Sequence, residues 1–487
     1  MLLNKLFMNT NIIIQNNIEI NNIETNSKNI SKGDLFIAIK GITLDGHNYV
    51  KEAIKNGAKA VLINEDRLDD FIDLNIDIYT CKDTRKVLGI ICSNYYDNPS
   101  KKFSLIGITG TKGKTTTSFM IKNIFEMAGY NVGLIGTNGT YINNKKIYDN
   151  DRTTPDSLLL QKLFYEMVLN KCDFVIMEVS SQSLKMDRVI GSDFDVSIFT
   201  NFSKDHISKN EHESLDDYFL SKTKLFDMSP ISIINIDDEK SKTLMDLKKN
   251  TKYITYSVSN NSNKKANNIK YSNIIVSYET IINKKIEKVI VNIPGLFNVY
   301  NSLCAITVSE YFNIDTKYIL KGLYDTKVKG RNEYVENDLG LNIIIDYAHT
   351  EKSMENILVA TNEYKKGILI TVFGCGGDRD KGKRKKMGEI SGKLSDFTII
   401  TSDNPRSENP SSIISEIEEG ISPVTSNYLV LESRIEAIKK AISMANKDDI
   451  ILLLGKGHEL YQEINGEKYP FDERLIIKKI ISKEIWI

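Results

Sequence analysis

Glycine, lysine and threonine crowd residues 110–117, in the run Gly110-Thr111-Lys112-Gly113-Lys114-Thr115-Thr116-Thr117. A loop of this kind turns backbone N–H groups toward phosphate, and a helix starting behind it adds a partial positive charge. Lys114 is spaced to lie against the terminal phosphates of a nucleotide and Thr115 to offer its hydroxyl to Mg²⁺. Gly110, Thr111, Lys112, Gly113 and Thr116 complete the cradle. The strict phosphate-loop pattern asks for glycine six residues before Lys114, where Ile108 stands. A Gly-Lys-Thr in a surface turn is the competing reading. The apolar segment before it, Leu105 to Ile108, and the helix pattern after it favour a nucleotide.

Two further strand ends offer groups to the same crevice. Phe174-Val175-Ile176-Met177 leads into Glu178, and Thr200-Asn201-Phe202-Ser203-Lys204 leads into Asp205 and His206. Thr115, Glu178 and His206 converging would hold Mg²⁺ on a nucleotide; a solvated strand-end acid is the plainer reading of Glu178. In Arg152-Thr153-Thr154-Pro155-Asp156-Ser157, two hydroxyls beside a helix start can bind an anion, or the segment serves only as an N-cap. Farther along, four polar loops each follow an apolar strand. They are Asp346–His349, Phe373–Arg384 (with Arg379, Lys381, Lys383 and Arg384), Ser402–Arg406 and Leu454–Glu459. Four such loops at one edge of a parallel sheet define a site for phosphate or carboxylate. The five histidines (His47, His206, His212, His349, His458) all fall in motif-bearing loops, which draws attention to each.

These groups need a scaffold, and the pattern supplies an α/β one. Helices are expected at Tyr49 to Asn56, at 114–128 with Met120, Ile124 and Met127 on one face, at Ser157 to Leu169 and at Lys352 to Tyr364. Strands are expected at Ala60–Ile63, Val132–Ile135, Phe174–Met177, Val196–Phe199, Ile231–Ile236, Ile343–Ile345, Ile368–Phe373 and Ile450–Leu454. Strands alternating with helices predict a central doubly wound, mostly parallel sheet, a small α/β domain before it and a Rossmann-like domain after it. An antiparallel hairpin is expected at Ile274 to Ile293. At 487 residues the chain is expected to form three domains, 1–102, 103–329 and 330–487. Lys plus Arg equal Asp plus Glu at 64 each, so no global field favours nucleic acid or an anionic membrane. Five scattered cysteines without C-x-x-C spacing read as reduced thiols, and no apolar run or leader-like start implies a membrane span or export. A cytoplasmic protein is expected.

Together these motifs resemble the Mur ligase family, ATP-dependent amide-forming enzymes of peptidoglycan precursor synthesis. The resemblance runs in order through Gly33-Asp34-Leu35-Phe36, Asp45-Gly46-His47, Gly110–Thr117, Thr153-Thr154-Pro155, Glu178–Ser181, Thr200–His206, Asp346–Thr350, Gly374–Arg384, Asp403–Arg406 and Gly455–Glu459. The family's loop is Gly-Thr-x-Gly-Lys-Thr, which accounts for Ile108. Within the family the chain is most similar to the branch that extends a UDP-N-acetylmuramoyl-dipeptide by a diamino acid.

That resemblance implies a set of roles. Ser27 would contact uridine. Thr153, Thr154, Ser181 and Arg188 would hold the muramoyl-dipeptide. Asn298, Asn301 and Arg331 would lie on the adenine and phosphate side of ATP. Lys222 matches the lysine that the family carbamylates, which would join Thr115, Glu178 and His206 around Mg²⁺. Lys114, Lys222, His206 and His349 would serve catalysis, His349 as a candidate base. Arg379, Asp403, Asn404, Arg406, Gly455 and Glu459 would hold the diamino acid. Meso-diaminopimelate is favoured over L-lysine because Arg406 suits a distal carboxylate, and lanthionine would satisfy the same contacts. A folylpolyglutamate-synthetase-like paralogue is the other reading. A monomer is the family expectation. The chain departs from the family pattern at Lys28, Gln182, Lys385 and Gly136-Thr137-Asn138-Gly139.

Overall fold

The computed structural model describes residues 1–41, 44–204, 211–271 and 275–482. Asp205 and His206 lie outside the described residues, as does Ile274. Met1–Lys265 with Leu303–Ile319 forms one compact unit, and Ala266–Ser302 with Leu320–Ile487 forms another.

In the first unit, strands Ile23–Glu24, Leu35–Ile37, Ala60–Asn64 and Asp77–Cys81 pair in that order, all parallel. Their residues alternate between two cores. Leu35, Ile37, Ala60, Leu62 and Tyr79 pack toward helix Thr84–Tyr95, while Phe36, Val61 and Ile63 face Val50 and Ala53 of helix Val50–Lys55. That period of two is what a sheet covered on both faces demands. The backbone of helix Thr84–Tyr95 touches the segment after residue 189. A Cβ on Gly89 would stand 2.1 Å from the Ile190 carbonyl oxygen, so only glycine lets the chains meet there.

The larger sheet of this unit runs in the order Lys264–Lys265, Lys252–Ser257, Ile231–Asn235, Val196–Phe199, Ser104–Thr109, Phe174–Glu178, Val132–Gly136, Gly139–Ile142 and Lys145–Tyr148. All neighbours are parallel except the last two pairings. The expected phosphate-loop strand therefore sits in the middle, flanked by the two strands expected to carry Glu178 and Thr200. Helix Ser157–Leu169 has the expected bounds, with Asp156 as its N-cap accepting from Leu159 N. Helix Lys114–Met127 buries Met120, Ile121, Ile124 and Phe125. Met127, expected on that face, is 37% exposed. It stands about 90° from the centre of the buried arc, at its edge.

In the second unit, Asn267–Tyr271, Val276–Ile282 and Lys285–Val291 form an antiparallel sheet, the expected hairpin with one further strand. Glu333–Tyr334, Asn342–Asp346, Ile450–Leu454, Leu369–Phe373, Phe397–Ile400 and Tyr428–Val430 form a second sheet in that order, parallel except for its first pair. Ile344, Leu369, Phe373, Leu452 and Leu454 enter one core, and Ile343, Ile345, Ile370, Val372 and Leu453 the other. Layers on both faces make this the expected Rossmann-like arrangement. All four polar loops leave the carboxyl ends of its parallel strands. A hairpin that was not expected, Tyr461–Ile464 with Glu467–Pro470, follows the last of them.

Among the described residues no helix is long and apolar enough to cross a membrane. All five cysteines are free thiols, and burial pushes those of Cys172, Cys304 and Cys375 up to about 12.

Candidate active site

The phosphate loop is held open by its neighbours. Gly110 (φ +147°) and Gly113 (φ +84°) take backbone angles that favour glycine, and Gly113 caps helix Lys114–Met127. Asn201 accepts Thr111 N at its carbonyl (2.9 Å) and Lys112 N at Oδ1 (2.9 Å), while Thr200 Oγ1 donates to the Lys112 carbonyl (2.7 Å). The Lys114 ammonium curls back onto the carbonyls of Gly110 (2.7 Å) and Thr111 (3.1 Å). Lys222, 2% exposed, donates to the same Gly110 carbonyl (3.0 Å) and lies 4.4 Å over the Tyr218 ring. Two lysines thus converge on the Gly110 carbonyl, and it is the Lys114 ammonium, with the loop N–H groups, that can receive polyanionic phosphate.

Glu178 ends the adjacent strand fully buried, so the reading of it as a solvated acid is excluded. Its Oε2 accepts from Thr115 Oγ1 (3.0 Å) and Thr137 Oγ1 (3.1 Å), and its Oε1 accepts from Thr137 N (3.0 Å). A carboxylate and a hydroxyl on neighbouring elements are hard oxygen donors, the class that Mg²⁺ takes, so the donor set present fits that ion. Thr137 escaped the sequence reading; its signal lay in Gly136-Thr137, directly after a strand. Gly136 is the partner that makes room. A Cβ there would sit 2.2 Å from Glu178 Oε1. Gly136→Ala is therefore expected to cost about 1–3 kcal/mol by overpacking and to swing Glu178 away from Thr115. Calorimetry together with ATP-dependent phosphate release checks both.

Of the residues expected on the dipeptide side, Thr153 and Thr154 lie beside Glu178, and not all of the set is open to a ligand. Thr153 Oγ1 meets Thr137 Oγ1 at 3.1 Å. Thr154, expected to present an exposed hydroxyl, is fully buried: it donates to the Glu178 carbonyl (2.8 Å) and accepts from Ser180 N (3.0 Å). With Asp156 as the cap, the N-cap reading of this segment accounts for its end. Ser181 Oγ bonds His212 Nε2 (2.9 Å), whose Nδ1 faces Asp217 Oδ2 (3.2 Å), itself bridged to Lys185 (2.6 Å). Burial lowers the His212 pKa, opposed by Asp217. Arg188 donates to the Thr154 carbonyl (3.3 Å); burial, with Arg152 adding, pushes its guanidinium down to about 10.

In the small parallel sheet, Ser27 is buried and donates to Glu52 Oε2 (2.8 Å). His47 is structural. Its ring is 1% exposed, Nδ1 faces Asp45 Oδ1 (2.6 Å) and Nε2 accepts Asn64 N (3.0 Å), which fixes the proton on Nδ1.

The second unit carries the other expected residues. Asn298 and Asn301 are buried and bonded to each other (3.0 Å), with Asn298 Nδ2 on the Pro294 carbonyl (2.8 Å). The Arg331 guanidinium stacks 4.9 Å from the Tyr347 ring, which also contacts the rings of His349 and His458. His349 Nδ1 faces the Tyr347 carbonyl (2.8 Å), so Nε2 is the basic nitrogen of the neutral ring. The expected basic cluster divides. Arg379 and Lys383 are exposed or half-buried, whereas Arg384 is fully buried between Glu408 (2.8 Å) and Glu416 (3.1 Å) and is structural. Helix Gly382–Leu394 turns Arg384 inward, something charge spacing does not reveal.

Asn404, Arg406, Gly455 and Glu459 come together. Asn404 Nδ2 donates to Glu459 Oε2 (2.8 Å), and Asn404 Oδ1 accepts from Lys456 Nζ (2.8 Å) and Glu463 N (2.9 Å). Arg406, at φ +51°, donates from Nε to Glu463 Oε2 (3.1 Å) and from Nη1 to the Gly377 carbonyl (2.7 Å). Gly455 (φ +108°) lies under Asp403, where a Cβ would meet Oδ2 at 2.4 Å. Burial, then the nearby Asp403 charge, raises the Glu459 pKa. Lys456, Glu463 and the hairpin that brings Glu463 were missed. Asn465-Gly466, both at positive φ, is a hairpin-turn dipeptide and was the available signal.

A central parallel sheet with a Gly-Thr-x-Gly-Lys-Thr loop, a buried glutamate beside it and a Rossmann-like sheet edged by polar loops define an ATP-dependent ligase that forms C–N bonds, and the chain belongs to the Mur ligase family. Residues 19–96 match the Mur ligase family catalytic domain, 108–309 the Mur ligase middle domain and 330–457 the Mur ligase glutamate ligase domain. The chain is 46% identical, over 98% of its own length and all of the relative's, to the UDP-N-acetylmuramoyl-L-alanyl-D-glutamate–2,6-diaminopimelate ligase of Clostridium botulinum. It is likewise 46% identical to the protein of that name from Caldanaerobacter subterraneus, with 96% of each covered. A solved structure of a ligase so named superposes at TM-score 0.74 and 27% identity over 99% of each chain.

Proposed function

We propose that the protein joins meso-diaminopimelate to the D-glutamyl γ-carboxylate of UDP-N-acetylmuramoyl-L-Ala-D-Glu at the expense of ATP, in the cytoplasmic assembly of peptidoglycan precursor. The observation that carries this reading is identity along the whole chain to relatives named for that reaction. Residues 1–102 take the UDP end, with Ser27 toward uridine; 103–329 bind ATP; 330–487 bind the amino acid. The enzyme acts as a monomer, without nucleic-acid or membrane partners.

The chemistry follows from what each group can do. A carboxylate is a poor electrophile, so the γ-carboxylate is first phosphorylated by ATP. The loop N–H groups of Gly110–Thr116 and the Lys114 ammonium stabilise charge on the transferring phosphoryl group. Thr115 and Glu178, with His206 and Lys222, would hold Mg²⁺, which would neutralise charge on the phosphate oxygens. Lys222 joins this set as a carbamate: its neutral amine adds to CO₂ and releases a proton, turning a cation into an oxygen-donor anion. Asn298, Asn301 and Arg331 hold the nucleotide. Thr153, Ser181 and Arg188 position the muramoyl-dipeptide, and the buried Thr154 hydroxyl braces the Glu178 strand end beside them. The acyl phosphate is then attacked by an uncharged amine, and the tetrahedral intermediate expels phosphate. His349 takes the amine proton at Nε2. Arg379, Asp403, Asn404, Arg406, Gly455 and Glu459 hold the diamino acid, Arg406 its distal carboxylate and Glu459 its distal ammonium.

Phosphate release with ATP, Mg²⁺ and UDP-N-acetylmuramoyl-L-Ala-D-Glu tests this, comparing meso-diaminopimelate, L-lysine and no amino acid. Release is expected only with meso-diaminopimelate, with the UDP-tripeptide seen by mass. Release with lysine alone would overturn the specificity, and no amino-acid-dependent release would overturn the ligase reading.

A further inference from the structure

Lys456 is a fully buried lysine that the proposed chemistry leaves without a role. Removing an ammonium from water is costly unless it is paired and hydrogen-bonded, so its surroundings must explain it. Its Nζ donates to Asn404 Oδ1 at 2.8 Å and stands 3.6 Å from Glu459 Oε2 and 3.9 Å from Asp403 Oδ1. The rings of Phe471 and Tyr461 lie 5.6 and 6.0 Å away and close it off. The only short contact of the three is therefore to an amide oxygen.

That contact decides how Asn404 is oriented. A carboxamide can be turned either way, and its partners settle which end is oxygen. Here Lys456 Nζ and Glu463 N are both donors aimed at one end, which must be the oxygen. The NH₂ end then faces Glu459 and donates to Oε2 at 2.8 Å. Were the amide reversed, its oxygen would face the carboxylate and its NH₂ would face an ammonium, both repulsive. We propose that Lys456 is a positioning residue for the diamino acid: by locking the Asn404 carboxamide it aims the Glu459 carboxylate at the ammonium group of the incoming substrate.

The charges agree. Asp403 and Glu459 are two anions against one Lys456 cation, so the pocket floor lacks one positive charge, which a substrate ammonium supplies. Arg406 and Glu463 cancel each other beside it. Burial and Asp403 both work against an ionised Glu459, while Lys456 and the Asn404 hydrogen bond work for it. This inference rests on the proposed function, since it assigns Glu459 to a diamino acid.

Steady-state kinetics on the full-length enzyme tests it, with thermal unfolding as the check on folding. Lys456→Met is expected to raise the KM for meso-diaminopimelate about tenfold or more, leaving kcat at saturation and the KM values for ATP and the UDP-dipeptide within about twofold. Since loss of a buried cation beside two carboxylates can unfold the unit, Lys456→Arg carries the same readout. It keeps the charge but moves the donor, and an intermediate KM is expected. An unchanged diaminopimelate KM in a folded variant would overturn the inference, as would a parallel shift of all three KM values, which a merely structural lysine would give. Wild-type enzyme without diaminopimelate-dependent release would instead overturn the proposed function, and this inference with it.

Discussion

Lys114→Met is expected to lower ATP-dependent phosphate release about 10²–10³-fold at saturating substrates, the range for losing one charge-stabilising donor, with little change in thermal stability. The side chain donates to the carbonyls of Gly110 and Thr111 on its own loop. In the proposed reaction its ammonium would face charge that builds on the transferring phosphoryl group, where a low-dielectric setting magnifies each donor. Lys222 reaches the same Gly110 carbonyl, but as the proposed carbamate it carries no positive charge with which to replace the one lost. Product formation measured alongside calorimetry checks this; activity within tenfold of wild type would sink the role given to Lys114.

Arg406→Ala is expected to raise the KM for meso-diaminopimelate about 10²-fold, as a charged, two-pronged hydrogen bond is lost. Weak turnover of L-lysine, which has no distal carboxylate, should be unchanged, and the ratio between the two substrates is the measurement. Arg406→Lys should recover little, because an ammonium lacks the planar fork. The guanidinium spends Nε on Glu463 and one Nη1 hydrogen on the Gly377 carbonyl, so the other Nη1 hydrogen and Nη2 are the two prongs left for a ligand. Equal losses for both amino acids would show that Arg406 supports the loop and not the distal carboxylate.

Much of this site was legible because it is local in sequence. Strand, glycine turn, Gly-Lys-Thr and helix stand in one continuous stretch, so spacing alone placed Lys114 and Thr115. The bounds of helix Ser157–Leu169 and the four loops at the sheet edge were legible for the same reason: apolar period and turn residues mark them directly. What escaped depends on pairings between distant segments. Nothing near Thr137 announces that Glu178, 41 residues on, will be its acceptor. Arg384 and Lys456 look like any other cations until helix and sheet turn them inward, and a charge run carries no sign of burial. Thr154 erred the other way: a hydroxyl before a helix start looks free, yet the Glu178 carbonyl claims it. His47 shows the same limit, since an imidazole that braces a backbone is indistinguishable by spacing from one that meets a substrate.

The stretch that bears Arg406 is laced to the hairpin behind it, with Arg406 N on the Glu463 carbonyl (3.0 Å) and Asn465 N on the Arg406 carbonyl (2.7 Å). Side-chain choice and main-chain path are thereby set together. Preference for one amino acid over another is then not a letter that can be copied between relatives. An arginine grafted at this position into a chain without the Asn465-Gly466 turn and its glutamate would arrive with the wrong backbone and no brace. Swapping preference between such enzymes calls for exchanging the loop and the hairpin as a single cassette.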